Sequence, residues 1–369
     1  MSEVLTVDAI LFGLLVFSGI LGNILVIHVV FLSASESPSR RLPPSDTILV
    51  HLSLANLLTS LFRTVPIFVS DLGFNVSLSP GWCRIFMLLW VWWRGVGCWV
   101  TLVLSVFHCT TLRRQHVAFG PLTHQRERKR AWIVLGLVWG GNLAFSIPAL
   151  VYTTHIKGNA TVELMVISCT TRPLLGCVWE FPSKQQGSAF ASTSLALNEV
   201  LPLLLMICTN LATLHALVKH IRAVTSGGES GITHGELDKH ATAERKAAHV
   251  IMSLVSLFVF CWVIQVAAVT YYNHNGGYLT EGLLTMAQFS ASVFGGFSPM
   301  VVALGHGKLR KRIMSMILRC SKVLKCHSKD SDERTKSTKT KEQRGKQTVF
   351  VVQKDRNIKK GKMQVKGKT

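Results

Sequence analysis

Seven long apolar stretches follow one another along this chain, and that pattern decides its solvent before any motif is considered. They cover roughly residues 7–32, 46–70, 84–111, 131–153, 189–218, 246–272 and 280–304. A helix needs about 20 apolar residues, at about 1.5 Å of rise each, to cross the hydrocarbon layer of a bilayer. Each stretch meets that length, and few charges interrupt them. The fold class expected is therefore an all-α membrane protein, a seven-transmembrane helix bundle. The third stretch, Trp82 to Arg114, anchors the reading. It opens at Cys83, closes at Arg113 and Arg114, and holds Arg94 well inside. A charge inside a membrane span is costly and marks a functional position by default.

Charge placement gives the expected orientation. With the N-terminus outside, one set of loops carries Arg40 and Arg41, then Arg113, Arg114, Arg126, Arg128, Lys129 and Arg130, then Lys219, Arg222, Lys239 and Arg245. The opposite loops carry Lys157, Arg172 and Lys184, all within 154–188. By the positive-inside rule the N-terminus lies outside and the C-terminus inside. The glycosylation sequons Asn75-Val76-Ser77 and Asn159-Ala160-Thr161 both fall in loops on the predicted outer side. Glu3 and Asp8, with no Lys or Arg before the first span, are not the basic start of a cleaved signal peptide.

The net charge is +21, and its distribution matters more than its size. From His306 to Thr369 there are 21 Lys/Arg and 5 Asp/Glu, so this tail accounts for +16. A nucleic-acid binder spreads such charge over a folded face; here it forms a tail on a membrane protein, and no nucleic acid is expected as partner. The expected division is a short outer N-terminus, 1–6; the seven-helix domain, 7–304; an amphipathic juxtamembrane helix, 306–320; and a basic disordered tail, 321–369. Lys308, Arg310, Lys311 and Arg312 alternate with Leu309, Ile313, Met316 and Ile317, which suits a helix on anionic lipid. Cys320 and Cys326 follow as candidate lipidation sites.

The nine cysteines contain no C-x-x-C pair and no metal-ligand spacing. Cys98, Cys109, Cys208 and Cys261 read as small buried apolar residues. Outside the cell a disulfide is permitted. Cys83 has two candidate partners in the long loop, Cys169 and Cys177; Cys177 is expected because it leaves the shorter tether to the fifth span. That bridge would hold the loop over the bundle as a lid.

Several stretches resemble the vomeronasal type 1 receptor family, including its fish olfactory-receptor-class-A-related members, within the rhodopsin-like G-protein-coupled receptors. The third span carries Arg94-Gly95, Thr101 and Leu104-Ser105-Val106-Phe107; the second carries Leu54-Ala55-Asn56-Leu57-Leu58, Arg63 and Pro66; the seventh carries Ser298-Pro299. Gly22-Asn23, Pro202 and Cys261-Trp262 resemble the wider superfamily. The chain departs from it at Phe107-His108-Cys109, where an Asp-Arg-Tyr triplet is usual, and at Asn56, where many receptors hold sodium with an aspartate. The likeness covers about residues 7–318. It implies a chemosensory receptor in the plasma membrane that binds a small organic ligand and activates a heterotrimeric G protein, of the inhibitory class. Other rhodopsin-like or bitter-taste-like receptors, and a membrane transporter, are the alternatives.

Candidate ligand-binding residues are Arg94, Glu199, Arg63, Trp90, Trp262 and Gln288. Arg63, Arg94 and Glu199 stand in the outer halves of their spans. Two readings compete: an Arg94–Glu199 ion pair that fixes helices, and a pocket that recognises a small anion such as a carboxylate or sulfate. Trp90, Trp93 and Trp99 fall near one side of the third span, as packing or as pocket wall. Candidate G-protein contacts are His108, Arg113, Arg114 and Lys246. No H-E-x-x-H, G-x-S-x-G or Walker loop is present, so neither an enzyme, a metal nor a cofactor is expected.

Overall fold

A computed structural model describes residues 7–36, 42–74, 76, 78–114, 121–155, 174–226, 234–274, 280–305, 314–315 and 318. Contacts divide the chain into two units, Met1–Arg310 and Lys311–Thr369; the architecture below is that of the first. The expected juxtamembrane helix, the tail, Cys320 and Cys326 lie almost wholly outside the described residues. So do Asn75, Asn159 and Cys169.

Among its described residues, seven helical rods account for nearly all of this unit. They are α1, Val7–Ser35; α2, built of Pro44–Thr59, a π-helical turn Ser60–Thr64 and Val65–Asp71; and α3, Pro80–Arg114. Then come α4, Pro121–Ser146 with a short extension Pro148–Tyr152; α5, built of Lys184–Leu195, a second π-helical turn Ala196–Val200 and Leu201–Ser226; α6, His234–His274; and α7, Thr280–Gly305. Proline opens α2, α3, α4 and the α4 extension, where its missing N–H is no loss and its fixed φ suits the first turn. Ser183 caps α5, its Oγ accepting from the Gln186 N–H at 3.3 Å.

Six of these rods contain a window long and apolar enough to cross a membrane, and α7 adds the shorter apolar run Phe289–Val302. Their lateral faces are apolar as well: Leu14, Phe17, Leu137, Leu211, Phe260 and Met300 are all more than 60% exposed. In water that surface would be untenable; hydrocarbon is its proper solvent. Cys208 belongs to this lateral face and is exposed, which corrects its expected burial, whereas Cys98, Cys109 and Cys261 are buried.

α3 runs through the middle and touches α2, α4, α5 and α6; α7 packs on α6 and α1. Small residues set the closest approaches. A Cβ on Gly22 of α1 would lie 2.8 Å from the Pro299 ring of α7, and one on Gly95 of α3 would collide with the Asn142 carboxamide of α4. Polar side chains tie rods together across the apolar interior. Asn23 donates to the Gly295 carbonyl at 3.2 Å, and Asn56 to Ser298 Oγ at 3.2 Å. Ser105 and Thr209 Oγ atoms meet at 2.7 Å. Trp92 Nε1 donates to the Trp139 carbonyl at 2.9 Å, and Trp139 Nε1 to His51 Nδ1 at 3.1 Å.

One end of the bundle is closed by a two-stranded antiparallel sheet of β1, Thr153–His155, and β2, Cys177–Trp179, with Thr154 opposite Val178. Gly176 turns the chain into β2 at a positive φ of 77°. Cys177 is bonded to Cys83 at the start of α3, as expected, with the two Cα atoms 5.4 Å apart. Both cysteines are fully buried. Beneath the sheet a chain of rings joins it to α4 and α5. Tyr152 stacks on Phe181 at 4.8 Å, Trp179 meets Phe190 at 5.1 Å, and Phe190 stacks on Phe145 at 5.4 Å.

Candidate functional site

Arg63, Arg94 and Glu199 are all buried, at 5%, 6% and 0% exposure. Their backbones reach the interior in two ways. Arg94 lies on a regular stretch of α3, one turn from Trp90 and one turn from Cys98, so the three share a face. Arg63 and Glu199 lie instead in the two π-helical turns. Each stands three residues before a proline, Pro66 and Pro202. A proline inside a helix has no N–H for the carbonyl four residues back, and its ring crowds that carbonyl. The backbone answers the same way in both places. The residue before proline donates five residues back: Val65 to the Ser60 carbonyl, and Leu201 to the Ala196 carbonyl. The widened turn holds one extra residue, a geometry common at functional sites. Ser60 Oγ donates to the Asn56 carbonyl at 2.8 Å within the first of them.

Trp90 is the floor of the cluster. The Arg63 guanidinium lies 4.3 Å from its ring centroid and the Arg94 guanidinium 5.2 Å from it. Arg94 also lies 4.2 Å from the ring of Trp262 on α6. Buried cation–ring contacts of this kind are worth about 2 kcal/mol or more each. The hydrogen bond of Arg94 goes to Gln265, one turn beyond Trp262: Nη2 donates to Oε1 at 3.0 Å. Gln265 is 2% exposed and is itself fixed, its Nε2 donating to the Cys261 carbonyl at 3.2 Å. Ser290 of α7 donates to that same carbonyl at 2.7 Å. Among the described residues, Arg94 Nε has no hydrogen-bond partner, and neither does Trp262 Nε1. Trp262 stacks on Phe258 at 4.5 Å, and Phe258 meets Phe294 edge-on at 4.8 Å, which carries the contact into α7.

The structure thus brings together four of the six candidate residues: Arg63, Trp90, Arg94 and Trp262. They line one cavity of about 50 Å³, with Asn56 and Ser292 also in its wall. That is room for a few water molecules, each needing about 10–15 Å³ by this measure. It is far below the roughly 300–1,000 Å³ of a typical small-molecule site. Recognition of an organic ligand here requires the cluster to open. The wall is contributed by α1, α2, α3, α6 and α7. The candidate residues read from the sequence stand on α2, α3, α5, α6 and α7, so α1 takes the place of α5 in this wall. Glu199 stands beside the cavity instead, close enough for it and Arg94 both to act electrostatically on Cys98. Asn198, its neighbour, accepts from Trp99 Nε1 at 3.4 Å and so seats the α5 turn against α3. Gln288 lies on α7, and its side chain is outside the described residues.

Among the tryptophans, the packing and pocket readings divide. Trp90 and Trp93 are buried at 4% and 7% exposure and line the cavity, while Trp99 faces α5 and Trp92 faces α4. Gln265 was not singled out from sequence. Its signal, a long polar side chain one turn past Trp262 in an apolar run, was present but carries no charge. At the far end of α3, His108 has its Nε2 buried and packs edge-on against Phe107 at 5.6 Å, while Arg113 is exposed. The side chains of Arg114 and Lys246 are outside the described residues.

Comparison with known proteins adds independent evidence. Residues 22–294 match the family model for seven-transmembrane receptors of the rhodopsin family. The chain is 74% identical to olfactory receptor class A-like protein 4 of Danio rerio, over 88% of this chain and 94% of that protein. It is 25% identical to olfactory receptor class A-like protein 1 of Danio rerio, over 84% of this chain and 92% of that one. It is 26% identical to human vomeronasal type-1 receptor 4, over 61% of this chain and 70% of that receptor.

Proposed function

Because the chain belongs to the rhodopsin family of seven-transmembrane receptors, we propose that it is a chemosensory receptor whose ligand is a small organic anion bound at the Trp90 cluster. Membership makes it a multi-pass plasma-membrane receptor and not an enzyme. The olfactory and pheromone role is our extension from the names of its relatives.

The observation that carries the anion is Arg94. Its guanidinium is buried against two tryptophan rings, its Nη2 is occupied by a neutral carboxamide, and its Nε has no hydrogen-bond partner among the described residues. A carboxylate or sulfate matches a guanidinium fork with paired charge-assisted bonds, roughly twice as strong as neutral ones. In taking that fork the ligand competes with Gln265 and moves the cation off Trp262. Arg94 links α3 to α6 through both contacts, so the ligand acts on the link between those helices. The shift in population then equals the ligand's preference for the opened state over the closed one.

The rest of the reading follows from orientation. With the disulfide end outside, the ligand enters from the side of the β1–β2 lid, and Asn75 and Asn159 are available for glycans. The opposite end, with His108, Arg113, Arg114 and Lys246, meets a heterotrimeric G protein, of the inhibitory class by family likeness. Cys320 and Cys326 take lipid, and the basic tail meets anionic headgroups.

A reporter assay in cells supplied with G protein tests it, using small carboxylates, sulfates, amines and neutral odorants. Carboxylates or sulfates should activate, and Arg94→Gln, at matched surface expression, should shift potency at least tenfold. Activation by amines or neutral compounds alone, or unchanged anion potency in Arg94→Gln, would refute the anion.

A further inference from the structure

A second concavity lies on the lateral face, away from the Trp90 cluster. It measures about 680 Å³ and runs along 99–110 of α3, 127–145 of α4 and 197–201 of α5. Leu102, Val106, Val134, Leu137, Leu197 and Leu201 make most of its wall. We propose that this groove binds a long-chain neutral lipid with a carbonyl oxygen inside the hydrocarbon layer, a fatty ketone or fatty ester. Nothing in the receptor reading requires it.

Four observations select that occupant. The first is shape. The groove follows about 18 residues of α4, roughly 27 Å at 1.5 Å per residue, close to the thickness of a hydrocarbon core. A chain fits such a length; a compact molecule leaves most of it empty. The second is Asn198, which lines the groove at 5% exposure. Its Oδ1 accepts from Trp99, but its Nδ2 has no hydrogen-bond partner among the described residues. A buried amide N–H left so has lost its water without repayment, and a carbonyl oxygen beside it would recover that cost. The third is depth. Asn198 lies nine residues past the start of the fifth apolar stretch at 189, about 14 Å along the axis. Glycerol ester carbonyls of ordinary phospholipids sit at the membrane interface and do not reach it. The acceptor must be carried farther along the chain. The fourth is charge. Glu127 and Arg130 stand together at the far end of the groove, and their formal charges cancel, which favours a neutral occupant over an anionic one.

The groove also has room to spare at Gly141 in its wall, where an added Cβ would meet nothing within 4 Å. Its occupant would rest on the same π-helical turn that seats Glu199, so binding would bear on the central cluster from the lipid side.

The test uses the full chain in phosphatidylcholine nanodiscs. One probe is a photoreactive long-chain ketone, and its control is the same chain with a methylene in place of the carbonyl. Adducts mapped by mass spectrometry should fall on the groove segments of α3, α4 and α5, and unlabelled ketone should compete them away. Gly141→Phe, which fills the groove from an open position, should remove labelling by both probes at least tenfold. Asn198→Leu should lower ketone labelling about tenfold, to the level of the control, and leave control labelling unchanged. Adducts scattered around the whole lateral surface, equal ketone labelling of wild type and Asn198→Leu, or a groove filled by a second copy so that Gly141→Phe abolishes self-association without reducing labelling, would each overturn the assignment.

Discussion

The bond between Arg94 and Gln265 predicts a sharp non-additivity. In the wild type Gln265→Leu leaves the Arg94 Nη2 without its acceptor, inside a cluster where the Nε already has none. Hydrogen bonds to charged groups are worth about 1.5–3 kcal/mol, so we expect Gln265→Leu to destabilise the receptor by about 2 kcal/mol. Arg94→Met keeps an unbranched stem between Trp90 and Trp262 but removes the charge. It loses the ring contacts and strands Gln265 Oε1, yet it also removes the desolvation cost of a buried cation, several kcal/mol in its own right. Its net effect is therefore small. In that background Gln265→Leu no longer orphans anything; it removes an orphaned oxygen and should cost less than about 0.5 kcal/mol. The coupling energy is then about 2 kcal/mol. Steric-trap unfolding in bicelles measures all four corners of the cycle. Sites that do not interact add to within about 0.3–0.5 kcal/mol. A Gln265→Leu cost equal in both backgrounds to that margin would mean that Arg94 does not depend on Gln265, and the proposed link between α3 and α6 would fall with it.

Two further predictions concern the backbone. Gly95→Ala should destabilise the α3–α4 contact by about 1–3 kcal/mol, because its Cβ would collide with Asn142, and Asn142→Ala should rescue it. Gly97→Ala, whose Cβ meets nothing within 4 Å, should instead stabilise α3 by up to about 1 kcal/mol; thermal unfolding in micelles separates the two. Pro202→Ala restores an N–H for the Asn198 carbonyl and lets the widened turn relax to a regular one, which turns the lid-end segment of α5 by about 100°. Spin labels at Gln186 and Trp82, both exposed, should then report a shift of up to roughly 8 Å, the chord swept by a side chain about 5 Å from a helix axis. Unchanged distances would mean that the turn is held by packing and not by proline.

The sequence declared its solvent because hydrocarbon demands continuous apolar length, and that demand is local. The same rule flagged Arg63, Arg94 and Glu199, since a charge in such a run stands out without any knowledge of its neighbours. Gln265 escaped because a carboxamide in an apolar helix has no comparable signal until its partner is known. The Cys208 reading failed for a related reason: when the surrounding solvent is itself apolar, hydropathy no longer distinguishes the inside of a helix from its outside. The replacement of α5 by α1 in the cavity wall is a matter of helix rotation. Rotation is set by pairwise fits such as Gly22 on Pro299 and Gly95 on Asn142, which join residues far apart in the chain and leave no trace at either one alone.

The spacing that does survive in the sequence is the pair of prolines. Arg63 precedes Pro66 by three residues and Glu199 precedes Pro202 by three, and in each case the turn between charge and proline is widened by one residue. A regular helix offers successive side chains at about 100° intervals, so a charged residue fixed by register on one face cannot be re-aimed without moving the whole rod. A widened turn re-aims it locally and leaves both flanking segments helical. It also leaves the Phe62 and Asn198 carbonyls without the N–H that a residue other than proline would supply four positions on. The two charges therefore both sit on widened turns, while Arg94 sits on the unbroken α3. On the proposed anion reading, the cavity of about 50 Å³ opens by adjusting the α2 turn, which lines it, against an unbroken third helix, while the α5 turn sets the position of Glu199 beside it.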